Sequence, residues 1–96
     1  MKFDWDEKKA KENIKKHEGV TFKEAETVFD DFNAVEFFDD FHSEAEERFR
    51  RVGFSNKRLL FVVYTIREKD GEETIRFISA RKATVRETEI YNERNR

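Results

Sequence analysis

The spacing of apolar residues near the start of the chain predicts a short strand followed by a helix. The strand covers residues 3–5 and the helix covers residues 6–17. An Asp4-x-x-Glu7 capping pattern marks the helix start, and Gly19 follows its end. Ala10 and Ile14 lie one turn apart, so they are expected to form the inner face of this helix.

A second helix is predicted from Thr21, where Thr21 and Glu24 form a capping box. Its apolar stripe repeats at helical spacing through Phe22, Ala25, Val28, Phe29 and Phe32. Residues 34–38 then favour a strand, and residues 39–45 favour an acidic loop. The stripe must pack against another element of the fold.

From residue 48 onward the apolar period changes to two, which predicts strands over residues 49–54, 59–66 and 74–81. The middle segment is apolar on both faces, so it is expected at the centre of the sheet. Asp70-Gly71 predicts a hairpin, and a Thr84 to Glu87 capping box opens a last helix. The order predicts one α+β domain over residues 1–96, with N-terminal helices packed on an antiparallel β-sheet and a C-terminal helix.

Composition narrows the class of protein. A chain of 96 residues suits a single core, and no apolar window approaches a membrane span or a signal region. We therefore expect a cytoplasmic protein without membrane contact. With no cysteine and two distant histidines, the sequence offers no metal site, and no cofactor is expected.

Charge is abundant but nearly balanced, at 44% charged residues with a net charge of -2. Strand pairing is expected to gather one group of cations at one end of the sheet, comprising Arg51, Lys57, Arg58, Arg81 and Lys82. The opposite end, roughly 20 Å away at the standard strand rise, is expected to hold Arg48, Arg50, Arg67 and Arg76. A single phosphate cannot use both groups.

Cations beside aromatic rings suit RNA, because guanidinium groups grip phosphate and Tyr64 or Tyr91 can stack a base. Solvent-facing pairs of Arg and Glu are the usual alternative in a chain this charged. Arg81 is the stronger candidate for a functional residue, because it lies at a strand end where the rigid sheet fixes the direction of its side chain. His17 suits proton transfer by its ordinary pKa, but it equally suits a helix C-terminus, where its protonated form complements the dipole.

Two further features have structural explanations of their own. Glu87 fills its capping box, and Tyr91 one turn later is more often a packing residue with a free hydroxyl.

The acidic, Phe-rich segment 29–41 has more aromatics than a helix and a strand need to bury. Those left exposed can anchor a partner protein.

Segments spread over nearly the whole chain resemble the BrnT toxin family in their order and approximate spacing. The resemblance rests on Phe3-Asp4-Trp5-Asp6-Glu7 with Lys9 and Asn13, Lys16-His17, residues 19–25, 47–53 and 58–65, Ile75-Arg76-Phe77-Ile78-Ser79-Ala80-Arg81-Lys82-Ala83, Glu87 and Tyr91. Glu18 is an extra residue relative to that pattern.

The resemblance implies a RelE-like fold, ribonuclease activity that stops translation, and an antitoxin with a ribbon-helix-helix part that reaches operator DNA. It further implies metal-independent cleavage by the ribose 2′-hydroxyl. In that scheme Arg81 and Lys82 stabilise the developing phosphoryl charge, His17 transfers protons, and Arg51 and Arg58 grip the RNA.

Two other classes stay open from the residues alone. One is a non-catalytic binding module that acts as a corepressor with a DNA-binding partner, and the other is a structural domain without activity. Basic strand ends serve all three, so RNA cleavage is the property that separates a toxin from a corepressor.

Overall fold

Five strands and three α-helices make up the part of the chain described in this computed structural model, residues 1–40 and 46–96. In chain order the elements are β1 (Lys2–Asp4), α1 (Glu7–Lys16), α2 (Phe22–Glu26), a 3-10 turn (Thr27–Asp30), β2 (Val35–Phe38), β3 (Arg48–Phe54), β4 (Leu59–Lys69), β5 (Glu72–Lys82) and α3 (Val85–Arg94). The predicted α+β class is confirmed. Part of the predicted acidic loop, residues 41–45, lies outside the described residues.

The sheet has the order β1-β5-β4-β3-β2, with β4 at its centre as predicted. Strands β2 to β5 pair antiparallel in succession, but β1 lies parallel to β5 with Phe3 opposite Ile75. The expectation of a purely antiparallel sheet was therefore wrong. A three-residue strand has too short a pattern to indicate its partner or direction.

The core lies between the sheet and the first two helices. Leu60, Val62 and Tyr64 of β4 are fully buried there, each burying enough apolar surface to stabilise the fold by roughly 1.5–3 kcal/mol. Four aromatic rings surround Phe77 with centroids 5.5–6.0 Å away, those of Phe3, Trp5, Phe22 and Phe29. Much of the aromatic content of the short chain thus packs in this core.

Helix α1 packs through the polar Asn13 as well as through Ala10, which lies partly buried against the core as predicted, whereas the predicted Ile14 does not. Asn13 is 5% exposed, while Ile14 is 40% exposed. The Asn13 amide donates to the carbonyls of Val20 and Ala80 and accepts from the Ala80 N–H. The helix is also capped by Asp6 instead of Asp4, because the Asp6 carboxylate accepts from the N–H groups of the first turn.

Helix α2 begins at Thr21 as predicted, but it ends after five residues and continues as the 3-10 turn. The predicted stripe fails at Phe32, whose side chain is fully exposed. Asp31 explains the break, because its carboxylate accepts from the N–H groups of Asn33 and Phe54 and so holds the chain in a turn.

The predicted hairpin between β4 and β5 is confirmed. Asp70 and Gly71 have φ values of 54° and 78°, the left-handed conformation that a tight two-residue turn requires. A bulge in the pairing opposite Val63 and Tyr64 shifts the register farther along the hairpin. At the end of β5 the chain enters α3 through the predicted capping box, in which Thr84 and Glu87 each bond the other's backbone N–H.

Candidate functional site

All three predicted catalytic residues, His17, Arg81 and Lys82, line one cavity of about 220 Å³. Lys16 and Glu18 complete its lining. The cavity lies where the C-terminal end of α1 meets the end of β5, so residues distant in sequence converge there. It is shallow and open to solvent.

A carboxylate and an aromatic ring fix Arg81 at this cavity. Its Nη1 and Nη2 donate to Oε1 and Oε2 of Glu87 at 2.9 Å each, and its guanidinium lies 4.3 Å from the centre of the Phe61 ring. Burial alone would raise the pKa of Glu87, but hydrogen bonds from Arg81 and the Thr84 N–H lower it below its usual value. Glu87 therefore stays ionised and serves both the capping box and Arg81.

His17 and Lys82 are held more loosely. His17 is the C-cap of α1, with its backbone N–H donating to the Asn13 carbonyl and its side chain half-buried. The chain then turns through Glu18 and Gly19, both at positive φ. The Glu18 carboxylate lies 3.5 Å from the Lys82 ammonium. His17 thus ends a helix, as one of its two sequence interpretations states, and it also lines the cavity; its part in proton transfer stays a prediction.

Arg51 lies near the same end of the sheet but faces away from Arg81. Arg51 is opposite Val62 in the register, whereas Arg81 is opposite Phe61. Paired residues share a face of a sheet and successive residues alternate, so Arg51 and Arg81 point to opposite sides. The predicted group of five cations is therefore split between two faces, and one phosphate cannot contact both arginines.

The Arg51 side chain is built into the sheet surface. Its guanidinium lies 4.5 Å from the centre of the Phe29 ring, and it donates to the Tyr64 hydroxyl and to Glu36 at 3.2 Å each. The Tyr64 hydroxyl in turn donates to Glu36. Burial, with Glu36 nearby, raises the pKa of Tyr64. Since Tyr64 has no exposed surface, its ring is not available to stack a base.

Arg58 forms the most buried ion pair of the four predicted RNA-binding residues. Its Nε and Nη2 donate to Glu24 at 3.0 and 2.8 Å, and the Ser55 hydroxyl donates to the same carboxylate at 2.7 Å. Burial favours a raised pKa for Glu24, but the bonds from Arg58 and Ser55 lower it. The Glu24 carboxylate therefore joins α2 to the β3–β4 turn. The predicted capping box would instead have had it accept from the Thr21 backbone N–H.

Tyr91, the last predicted RNA-binding residue, is also buried, on helix α3. It is 7% exposed, its ring meets Phe54 edge to face, and its hydroxyl donates to Asp31 at 2.8 Å. Burial, followed by the neighbouring Asp31, raises the pKa of Tyr91 to about 12. The packing alternative raised from the sequence describes this environment.

A family model described as "Ribonuclease toxin, BrnT, of type II toxin-antitoxin system" matches residues 5–87, most of the chain. The protein belongs to the BrnT toxin family. Membership makes it a ribonuclease toxin with a cognate antitoxin. No curated protein matches the sequence closely enough to count as a relative.

In this BrnT toxin, sequence reasoning missed two classes of residue. Lys16 and Glu18 line the cavity, yet Lys16 entered only as part of a family motif and Glu18 only as a departure from it. Asn13 and Glu24 hold the scaffold around the site through contacts with residues 67 and 34 positions away. Polar residues inside a helix repeat were the available signal, since buried polar groups need partners.

Two kinds of feature are absent from the described part of this BrnT toxin. Within residues 1–40 and 46–96, no three His, Asp or Glu side chains are grouped so as to hold a metal ion. Across the same residues, no helix is long and apolar enough to cross a membrane.

Proposed function

We propose that this BrnT toxin is an endoribonuclease whose active site is the cavity lined by His17, Arg81 and Lys82. The convergence of these three side chains on one cavity is the observation that carries the proposal. It places two cations and one imidazole, a side chain type that serves as general acid or base in many enzymes, around the same cavity.

The proposed reaction is metal-independent transesterification. The ribose 2′-oxygen forms a bond to the adjacent phosphorus while the bond from phosphorus to the 5′-oxygen breaks. His17 takes the proton from the 2′-hydroxyl or supplies one to the departing 5′-oxygen, and solvent water at the open cavity carries out the other proton transfer. Arg81 and Lys82 stabilise the negative charge that develops on the phosphoryl oxygens.

Arg81 retains hydrogen-bonding capacity for a phosphate. Of its five N–H donors, the bonds to Glu87 and to the Lys82 carbonyl occupy three. The remaining two can meet a phosphoryl oxygen without breaking the Glu87 pair. That pair then orients the guanidinium, as a preorganised site requires.

The other predicted RNA-binding residues receive less support from their contacts. Arg51 and Arg58 are paired with Glu36 and Glu24, and both Tyr64 and Tyr91 are buried. We infer that these four residues stabilise the fold rather than contact RNA directly. The RelE-like classification remains an expectation from the family resemblance.

The central test is expression in a bacterial host of the wild-type chain and of Arg81→Gln, following growth and RNA integrity. Arg86→Gln is the matched control, because Arg86 is an exposed arginine on α3 that pairs with Glu89. We expect growth arrest and RNA cleavage for the wild type and Arg86→Gln, and neither for folded Arg81→Gln. Cleavage by Arg81→Gln at the wild-type rate would remove Arg81 from the active site.

For the partner, we propose a ribbon-helix-helix antitoxin that links the toxin to operator DNA. Both proteins act in the cytoplasm in this proposal. Toxin that is free of antitoxin stops translation. Phe32 and Phe38 are exposed and flanked by acidic residues, which suits a basic antitoxin segment with apolar side chains. Hydrogen exchange should show this segment protected in the complex. Equal exchange with and without antitoxin at both this surface and the cavity would contradict the assignment.

The alternative function is a corepressor without catalysis. It is favoured by the ion pairing of Arg51, Arg58 and Arg81, which leaves less free positive charge than an RNA surface usually presents. Intact RNA after expression of soluble, folded wild-type protein, together with tighter operator binding by the antitoxin in its presence, would favour it.

A further inference from the structure

A second cavity lies nearer the hairpin end of the sheet and shares no lining residue with the cavity at His17. It has a volume of about 190 Å³ and is the more enclosed of the two. Its lining residues are Asp6, Lys9, Glu46, Arg48, Thr65, Arg67, Arg76, Phe77 and Ile78. Four of these side chains are cationic and two are acidic, so the lining is positive overall.

Three of the lining residues form one row across the sheet. Thr65 of β4 lies opposite Arg48 of β3 on one side and opposite Arg76 of β5 on the other. Because paired residues share a face, the two arginines flank the threonine on the same side of the sheet. The row is a rigid platform formed by three adjacent strands.

This row lies on the same face of the sheet as Arg81. Arg81 is opposite Phe61, and Phe61 and Thr65 are four residues apart on β4, which places their side chains on one face. The spacing along the strand is about 13 Å at the standard rise, shorter than the 20 Å expected from the sequence. The row at the cavity and Arg81 therefore lie on the same face of the sheet, at different points along the strands.

Two arginines of the cavity lining form ion pairs with carboxylates, whereas the lysine of the lining does not. Arg67 pairs with Glu46 at 3.2 Å and Arg76 with Asp4 at 3.2 Å. The Lys9 ammonium forms no ion pair within residues 1–40 and 46–96. The carboxylates pair with the two arginines, and the Asp6 carboxylate attracts Lys9 without forming an ion pair with it, so the Lys9 ammonium keeps its hydrogen-bond donors for an anion.

Thr65 supplies an independent observation. Its side chain is 1% exposed, and its hydroxyl has no hydrogen-bond partner in the described part of the chain. A buried hydroxyl without a partner is rare and unfavourable, so the group calls for an explanation. A ligand oxygen in the adjoining cavity would supply the missing bond.

We propose that this cavity binds a phosphate group and that the phosphate belongs to the RNA backbone, about 13 Å along the strand from the one cleaved at Arg81. The convergence of lysine, arginine and threonine donors suits phosphate oxygens. The RNA assignment rests on the proposed ribonuclease function, whereas the phosphate site itself does not. Free inorganic phosphate is the other source of the same chemistry.

The test uses two probes, inorganic phosphate and a 2′-O-methyl RNA oligonucleotide, in which the nucleophile for cleavage is blocked. The variants are Thr65→Val, which removes the hydroxyl at nearly constant shape, and Lys9→Gln. Their matched controls are Thr74→Val on β5 and Lys11→Gln on α1, two positions outside the cavity lining. Binding is measured by titration at several salt concentrations, and phosphate contact by amide chemical shifts.

We expect Thr65→Val to weaken oligonucleotide binding roughly tenfold, as loss of a hydrogen bond to a charged group does. Lys9→Gln should lower the salt slope of binding by about 0.7, the value for one phosphate contact on a single strand. Thr65→Val should also raise the melting temperature of the free protein, because it removes the unsatisfied hydroxyl. Both controls should bind as the wild type does.

Unchanged binding of both probes in Thr65→Val and Lys9→Gln would overturn the site, as would a lowered melting temperature of Thr65→Val. Shifts near Thr65 with inorganic phosphate but not with the oligonucleotide would support a phosphate site and overturn the RNA assignment. Because the oligonucleotide is not cleaved, loss of its binding is measured independently of ribonuclease activity. Wild-type protein that binds both probes but cleaves no RNA would refute the ribonuclease proposal and leave the site standing.

Discussion

Replacement of Arg58 by alanine tests directly whether this arginine stabilises the fold or binds RNA. Its partner Glu24 has a side chain that is 4% exposed, while the Arg58 side chain is 29% exposed. Removing one member of a buried pair leaves an uncompensated charge, which costs about 3–5 kcal/mol in full burial. Partial exposure of the arginine reduces this, so we expect Arg58→Ala to lower the free energy of unfolding by about 2–4 kcal/mol.

The assay is urea unfolding followed by circular dichroism, with Arg67→Ala as the matched control. Arg67 is also an arginine paired with a glutamate, but the two side chains are 50% and 45% exposed. Such a surface pair contributes about 0–1 kcal/mol. A clear difference between the two variants is therefore expected.

Acidification provides a second measurement of the same pair. The pKa of Glu24 is lowered in the folded protein. Its ionised form therefore stabilises the fold when the pH is above the ordinary glutamate pKa, and this stability is lost as the pH falls through the lowered pKa. Arg58→Ala should reduce this part of the pH dependence. Equal unfolding midpoints for Arg58→Ala and Arg67→Ala, together with a specific loss of RNA binding in Arg58→Ala, would refute the structural assignment.

Three further predictions concern the scaffold. Gly53→Ala should destabilise the protein by about 1–3 kcal/mol in urea unfolding, because an added Cβ would lie 2.8 Å from the Ala34 Cβ and 2.9 Å from Val28; wild-type stability would mean that these neighbours move freely. Asn13→Ala should cost about 2–3 kcal/mol, since it leaves buried backbone groups without partners, and a melting temperature unchanged from wild type would contradict that. Ultraviolet titration should show little phenolate from Tyr91 in folded protein at pH 10 to 11, because its pKa is raised from 10.0 to about 12; the associated stability is fully present below the ordinary pKa and is lost as the pH rises from there through the raised pKa. An ordinary tyrosine titration by folded protein would show that the hydroxyl is not held by its partner.

Local signals in the sequence predicted the local structure well. Asp70-Gly71 determines a hairpin because few residues adopt its backbone conformation, and the Thr84 to Glu87 box determines a helix start through contacts three residues apart. One failure was local, since Asp6 and not Asp4 caps α1. Other failures appeared where the deciding contact is distant in sequence. Nothing around Asn13 indicates that its amide will meet Ala80, so the inner face of α1 was assigned to apolar residues instead.

The candidate site shows the same division. Pairing of strands was enough to place Arg51 and Arg81 at one end of the sheet, but an offset of a single residue decides which face each one occupies. Sequence periodicity does not fix that offset. The association of His17 with Arg81 and Lys82 came from the family resemblance, because the approach of α1 to the end of β5 depends on tertiary packing.

The Asn13 amide has a consequence for how copies of this protein behave together. Strand β1 covers only residues 74–76 of β5, so the backbone of β5 beyond them would otherwise form an open edge. Such an edge is a template on which another chain can add a strand, and a small net charge of -2 offers little repulsion against it. By occupying both backbone groups of Ala80, the Asn13 side chain blocks intermolecular strand addition there and so protects the folded protein from aggregation.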